Sequence, residues 1–161
     1  MSWEVLLPYA AWLGNTPFAL WLGASTWRIA WLLTVHLFGL TLLLGSVFIA
    51  SMHLLGLFQR RKPTAQLRRE IRPVMLTGLA LSLCTGALIF TGGAQAYYEG
   101  YWFRLKMVLL LVTLVFHETV YRRVSTAAEG RLPRLVYGAT GVVMLCLWFG
   151  VAWAGRAIAF F

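Results

Sequence analysis

The chain has 161 residues, of which 60% are hydrophobic and only 12% charged, and it carries a formal net charge of +9. A soluble domain of this size cannot cover so much apolar surface, so lipid must do part of the covering. The charge does not mark a nucleic-acid binder, because the basic residues sit between apolar runs and no basic face or fold motif accompanies them.

Residues 1–25 contain the run WEVLLPYAAWLGNTPFALWLG, interrupted by Pro8, Asn15 and Pro17. With no basic n-region it does not read as a cleaved signal peptide, and it predicts one or two short helices lying on a membrane surface. Four apolar spans follow. The first covers 27–57, longer than the roughly 20 residues a bilayer needs, so it tilts or protrudes. The second covers 73–91, with Pro73 suited to a first helical turn. The third covers 103–121 and the fourth 135–158. With no internal repeat and no low-complexity linker, residues 1–161 read as one all-α domain: an integral membrane four-helix bundle with short interfacial N-terminal helices on the outer side.

Orientation follows from the connections. Arg60, Arg61, Lys62, Arg68, Arg69 and Arg72 lie in the first, and Arg122, Arg123, Arg131 and Arg134 in the third, so ten of the 14 basic residues fall on one side. That side is expected to be the cytoplasm, with both termini outside a bacterial inner membrane. Arg28, Arg104, Lys106 and Arg156 are left for the outer face. Trp3, Trp12, Trp21, Trp27, Trp31, Trp102 and Trp153 map near the outer interface, with Trp148 in the outer half, and GGAQAYYEGYWF adds Tyr97, Tyr98 and Tyr101 to the same belt. Cys84 and Cys146 sit mid-span and read as small core residues, outside any disulfide or metal-thiolate motif.

His36, His53 and His117 all lie inside the spans, where an ionisable side chain costs several kcal/mol unless it faces protein, a polar cavity or a cofactor. His53 lies about six residues before the cytoplasmic end of its span and His117 about five, which puts both imidazoles roughly 8–9 Å below the inner interface. Two histidines at one depth on facing helices suit the axial positions of a b-type haem. Heptad steps back from His53 reach Ser46 and Gly39, with Ala50 and Gly56 one turn away on either side. This small-residue stripe would admit a porphyrin, or equally form a close helix–helix seam. Arg60, Arg122 and Arg123, with Arg61 and Lys62, lie just below and would pair with haem propionates, although ordinary positive-inside residues occupy the same places. Glu118 reads as an i,i+4 partner of Arg122. The alternative for His53 and His117 is a buried pair hydrogen-bonded to each other or to backbone carbonyls. His36 lies about 25 Å away in the outer leaflet, either ligating a second haem or metal with Met107, or contacting a quinone or the fold. Lys106 falls near His36's level, placed to snorkel, bind an anion or contact its neighbourhood.

The strings TVHLFGLTLLLGSVF, SMHLLGL, LCTGALIFTGGAQAYYEGYWFRLKMVLL and FHETVYRR resemble an uncharacterised family of small bacterial membrane proteins marked by HLxGL, LLGL, TGxxxF and FRxKM motifs. The resemblance covers most of 27–123 and implies a four-helix membrane bundle. The family pattern carries an acidic and a basic residue around LLGL, where this chain has Ser51 and His53, so ligation at His53 would belong to a subgroup. A weaker likeness to the copper resistance D domain lies in a histidine preceding a small-residue stripe, and four-helix b-type cytochromes share the logic of histidines on facing helices.

These readings converge on a membrane b-type cytochrome, or a haem-bearing anchor that passes electrons between quinol and a partner subunit, rather than a free-standing enzyme. Tyr97, Tyr98, Glu99 and Tyr101 would border an outer quinone or partner site. Copper handling is the alternative, with His36, Met52, His53, Met75, Met107 and Met144 as ligands scattered in depth. A non-redox scaffold is the third. Ser82/Gly86 and Gly150/Ala154 permit helix association, within the chain or in a homo-oligomer.

Overall fold

The computed structural model describes residues 7–59, 61–127, 131–158 and 160, and every regular element among them is helical. The N-terminal segment forms α1 (Leu7–Gly14) and α2 (Pro17–Gly23). Thr16 separates them: its hydroxyl donates to the Leu13 carbonyl at 2.8 Å and accepts from the Ala19 N–H at 3.3 Å, while Pro17 opens the new helix. α1 packs on α5 (Ala94–Glu99), burying Ala10, Ala94 and Tyr98 in a small cluster, and α2 packs on α3 (Thr26–Leu54). The Arg28 guanidinium lies 4.1 Å from the Trp21 ring centroid and donates to the Trp21 carbonyl. Trp12, Trp21, Trp27, Trp31 and Trp153 are exposed. Trp3 lies outside the described residues.

Among the described residues, three helices are long and apolar enough to cross a membrane: α3 (Thr26–Leu54), α4 (Thr64–Thr91) and α8 (Arg134–Ala157). α3 stops three residues before the expected boundary because Gly56 takes the left-handed conformation, φ 72°. The N–H groups of Leu57 and Phe58 then turn back to the Met52 carbonyl at 2.9 and 3.3 Å. α4 begins nine residues before Pro73, which is therefore a helix-interior proline and not a first-turn one. The start is set by Pro63 at the N-cap, and Leu67 and Ile71 bury the extra turns against the core. That burial outweighs the single backbone bond Pro73 cannot donate.

The expected third span is a helix in two registers. α6 (Tyr101–Phe116) is 16 residues, about 24 Å long, and alone falls short of a typical hydrocarbon core. It continues into a π-helical turn, His117–Tyr121, and then into α7 (Arg122–Thr126). Nothing in the apolar periodicity signals this widened turn.

α3 lies between α4 and α8, and α6 packs on α8. Leu43, Val47, Ala50 and Leu54 of α3 meet Met75, Tyr121, Val124, Met144 and Trp148 in the main core. The contact of α3 with α4 depends on two glycines. A Cβ on Gly78 would stand 2.6 Å from the Leu43 nitrogen and 2.7 Å from the Gly39 carbonyl oxygen, and one on Gly39 would stand 2.9 Å from Leu81 Cβ. Across the other face, a Cβ on Gly141 would come within 3.1 Å of the Ser51 carbonyl. The small-residue stripe of α3 is thus a helix–helix seam. Large apolar side chains such as Phe38, Phe48, Leu111 and Phe149 point outward, the reverse of a soluble bundle. Cys84 and Cys146 also lie on outward faces as free thiols, which corrects their reading as core residues.

Candidate functional site

Near the α5 end of the bundle, α3, α4, α6 and α8 enclose a cavity of about 380 Å³. Leucines such as Leu40, Leu79 and Leu110 form its sides. Phe90 and Phe103, stacked with centroids 5.0 Å apart, line it near the helix ends, and Tyr97 extends their stack. Four polar side chains interrupt this lining: His36, Ser82, Lys106 and Trp148. Ser82 and Trp148 are 7% and 3% exposed, yet Ser82 Oγ and Trp148 Nε1 have no hydrogen-bond partner in the protein. Both atoms are shielded from water, and Ser82 Oγ faces the α3–α4 seam, 2.9 Å from the Cβ position of Gly39, so they are unpaired groups buried beside the cavity. Lys106 lines the same space, and neither ion pair found among the described residues involves it. Glycines make room for both ionisable groups: a Cβ on Gly86 would approach His36 Cε1 at 3.3 Å, and one on Gly155 would approach Lys106 Nζ at 3.1 Å. The structure therefore brings His36, Lys106 and Met107 to one cavity.

His36 is held by α4. Its Nδ1 is 3.0 Å from Thr85 Oγ1, and that hydroxyl is 2.6 Å from the Leu81 carbonyl oxygen. A carbonyl only accepts, so Thr85 spends its proton on Leu81 and accepts from His36 Nδ1–H. In the neutral ring Nε2 then carries the lone pair.

At the opposite end, His53 sits in a different setting. Its Nδ1 donates to the Phe58 carbonyl at 3.0 Å, so Nε2 accepts from Thr64 Oγ1 at 3.2 Å. The imidazole ties the turn after α3 to the first residue of α4, with both nitrogens occupied. His117 opens the π-helical turn, 8% exposed, with its ring 4.7 Å from that of Tyr121 and its Nδ1 without a partner. A haem between these two residues fits His117 but not His53 as it stands, since iron would need the Nε2 lone pair that Thr64 holds. The seam of Gly39 and Gly78 also closes the stripe as a porphyrin bed.

Of the expected propionate partners, Arg122 pairs with Glu118 at 3.3 Å, both exposed, as their i,i+4 spacing implied. Arg123 lines, with Arg131, a shallow recess between α7 and α8. Arg60 lies outside the described residues. No three of the His, Cys, Asp or Glu side chains gather as a metal site among the described residues. Tyr98 is buried against α1 and Tyr101 is exposed, so of the four residues expected to border an outer site only Tyr97 reaches the rings that line the cavity.

Residues 14–161 match a family of unknown function, DUF6644. The chain belongs to that family. No curated protein and no solved structure matches it. Membership in DUF6644 agrees with the uncharacterised family implied by the HLFGL, LLGL and FRLKM strings, and leaves the chemistry to be read from the side chains. In this DUF6644 chain, sequence reasoning missed Ser82, Thr85 and the Trp148 indole. The available signal was two hydroxyls three residues apart within one apolar span, at the level of His36.

Proposed function

We propose that the protein is a four-helix subunit of the bacterial inner membrane whose cavity binds the head of a quinone or quinol. Both termini and the cavity then face the outer side, and the Lys- and Arg-rich connections face the cytoplasm. Exposed Trp12, Trp21, Trp27 and Trp153 support this sidedness, since α1, α2, the start of α3 and the end of α8 carry them. The observation that carries the reading is the cavity itself: apolar walls interrupted by Lys106, His36, Ser82 and Trp148. A flat apolar ring bearing two oxygens satisfies that set, with its tail left in lipid. Electrons exchanged with such a ligand require a second redox group. We assign that group to a partner subunit, which makes the chain an electron-transfer component.

Titration of the full chain in lipid nanodiscs with decylubiquinone tests this, read as quenching of Trp148 fluorescence and corrected with Trp148→Phe. Saturable quenching is expected, with affinity about tenfold weaker in Lys106→Met for the loss of a charge-assisted hydrogen bond. Linear, non-saturating quenching that ignores Lys106→Met would overturn it. A haem on His117 is the second reading, favoured by its unpartnered buried Nδ1. A Soret band in protein from haem-replete cells, lost in His117→Ala, is its signature.

A further inference from the structure

We infer that the cavity selects quinol over quinone and takes a phenolic proton at His36 Nε2. The inference rests on the quinone-type reading of the cavity and names the redox form it holds. It starts from the direction of two hydrogen bonds. Thr85 Oγ1 lies 2.6 Å from the Leu81 carbonyl, a contact that requires the hydroxyl proton between them, so His36 Nδ1 must be the protonated nitrogen. α4 therefore fixes His36 with its lone pair at Nε2, in a cavity whose lining also holds the Lys106 ammonium, which only donates, and Ser82, whose hydroxyl can do either.

That pattern is asymmetric: an acceptor at His36 Nε2 on α3, and the donor N–H groups of Lys106 on α6. A quinone offers carbonyl lone pairs at both ends and would set one of them against the Nε2 lone pair. A quinol offers a hydroxyl to Nε2 and lets its second oxygen accept from the donors. The step that follows is a proton transfer alone. The phenolic O–H bond breaks, its proton forms the Nε2–H bond, and the O–H electron pair stays on the ring oxygen as a bound monoanion. No carboxylate among the described residues neutralises Lys106, so its ammonium is available to stabilise that anion. Nδ1–H remains on Thr85 throughout, so the imidazolium that forms keeps its orientation.

The test compares three short-tailed probes on the full chain in nanodiscs under anaerobic conditions: ubiquinol-1, ubiquinone-1 and the dimethyl ether of the quinol. Ubiquinol-1 is expected to bind about tenfold more tightly than either of the others, the value of one hydrogen bond made rather than left as opposed lone pairs. The preference should vanish in His36→Leu, through loss of ubiquinol-1 affinity, and shrink in Thr85→Val, a near-isosteric change that frees the ring to adopt the other tautomer and lets Nε2–H donate to ubiquinone-1, whose affinity should rise. The bound quinol should also show the red-shifted ultraviolet band of a phenolate in the wild type and not in His36→Leu. Equal affinity for quinol and quinone in the wild type, or a preference that survives both substitutions, overturns the inference and leaves the cavity reading standing. Binding of none of the probes removes both.

Discussion

His36 and His53 lie on one helix, seventeen residues and about 25 Å apart, and the fold treats them in opposite ways. His53 has a carbonyl on one ring nitrogen and a hydroxyl on the other, both from the segment that carries the chain into α4. His36 has one nitrogen fixed by a hydroxyl already committed elsewhere, and it lines a cavity beside two orphaned polar groups and a lysine. An ionisable residue in an apolar span signals function only to the extent that its surroundings leave atoms unpaired. By that measure His53 is a clasp and His36 is a site, the reverse of their ranking by depth alone.

The largest effect should come from the seam between α4 and the helix that carries both histidines. Gly78→Val places a branched side chain where a single Cβ already meets the Leu43 nitrogen and the Gly39 carbonyl below 3 Å, contacts with backbone that cannot swing aside. α3 and α4 must part, at a cost of about 3 kcal/mol, the upper end of ordinary overpacking. Thermal unfolding in detergent should show the loss, and quinone binding should fall with it because His36 and Thr85 sit on the separated helices. Gly45→Val is the control, since nothing lies within 4 Å of its Cβ position. Equal damage from both would mean the seam is not where the packing is decided.

Next in size is the contrast between the two histidines. His53→Ala removes two hydrogen bonds and strands the Phe58 carbonyl and the Thr64 hydroxyl, a loss of about 2 kcal/mol of stability. Quinone affinity should hardly move, since the cavity lies at the other end of α3. His36→Ala should do the opposite, with a small change in unfolding and a clear loss of quinol preference. A His53→Ala protein as stable as the wild type but stripped of a haem spectrum would restore His53 as a ligand and undo the contrast.

Much of this was legible in the sequence, for identifiable reasons. The positions of the first, second and fourth spans follow from apolar runs, and the first ended and the second began elsewhere than expected because Gly56 and Pro63 imposed local backbone rules that hydropathy does not register. The Glu118–Arg122 pair follows from helical spacing, and the approach of Lys106 to His36's level follows from depth. Three features were not legible. The π-helical turn at His117 leaves no mark on the apolar pattern. The stripe Gly39, Ser46, Ala50 suits a seam and a cofactor bed equally, and only the partner surface on α4 decides between them. The state of each imidazole depends on hydroxyls from a different helix, Thr64 and Thr85, whose pairing is tertiary information.

The smallest expected effect separates a surface pair from a cofactor anchor. Arg122 and Glu118 are both exposed, and an exposed i,i+4 pair is worth only a few tenths of a kcal/mol. Glu118→Gln should therefore lower stability by less than about 0.5 kcal/mol, and added salt should erase even that. If Arg122 instead held a haem propionate near His117, releasing it from Glu118 would strengthen that contact, and a Soret band would sharpen in the variant. The two outcomes differ in sign as well as size. A mild, salt-sensitive loss with an unchanged spectrum leaves the α7 end as a fastening of turns and basic side chains, and the cavity lined by His36 and Lys106 as the candidate place for chemistry.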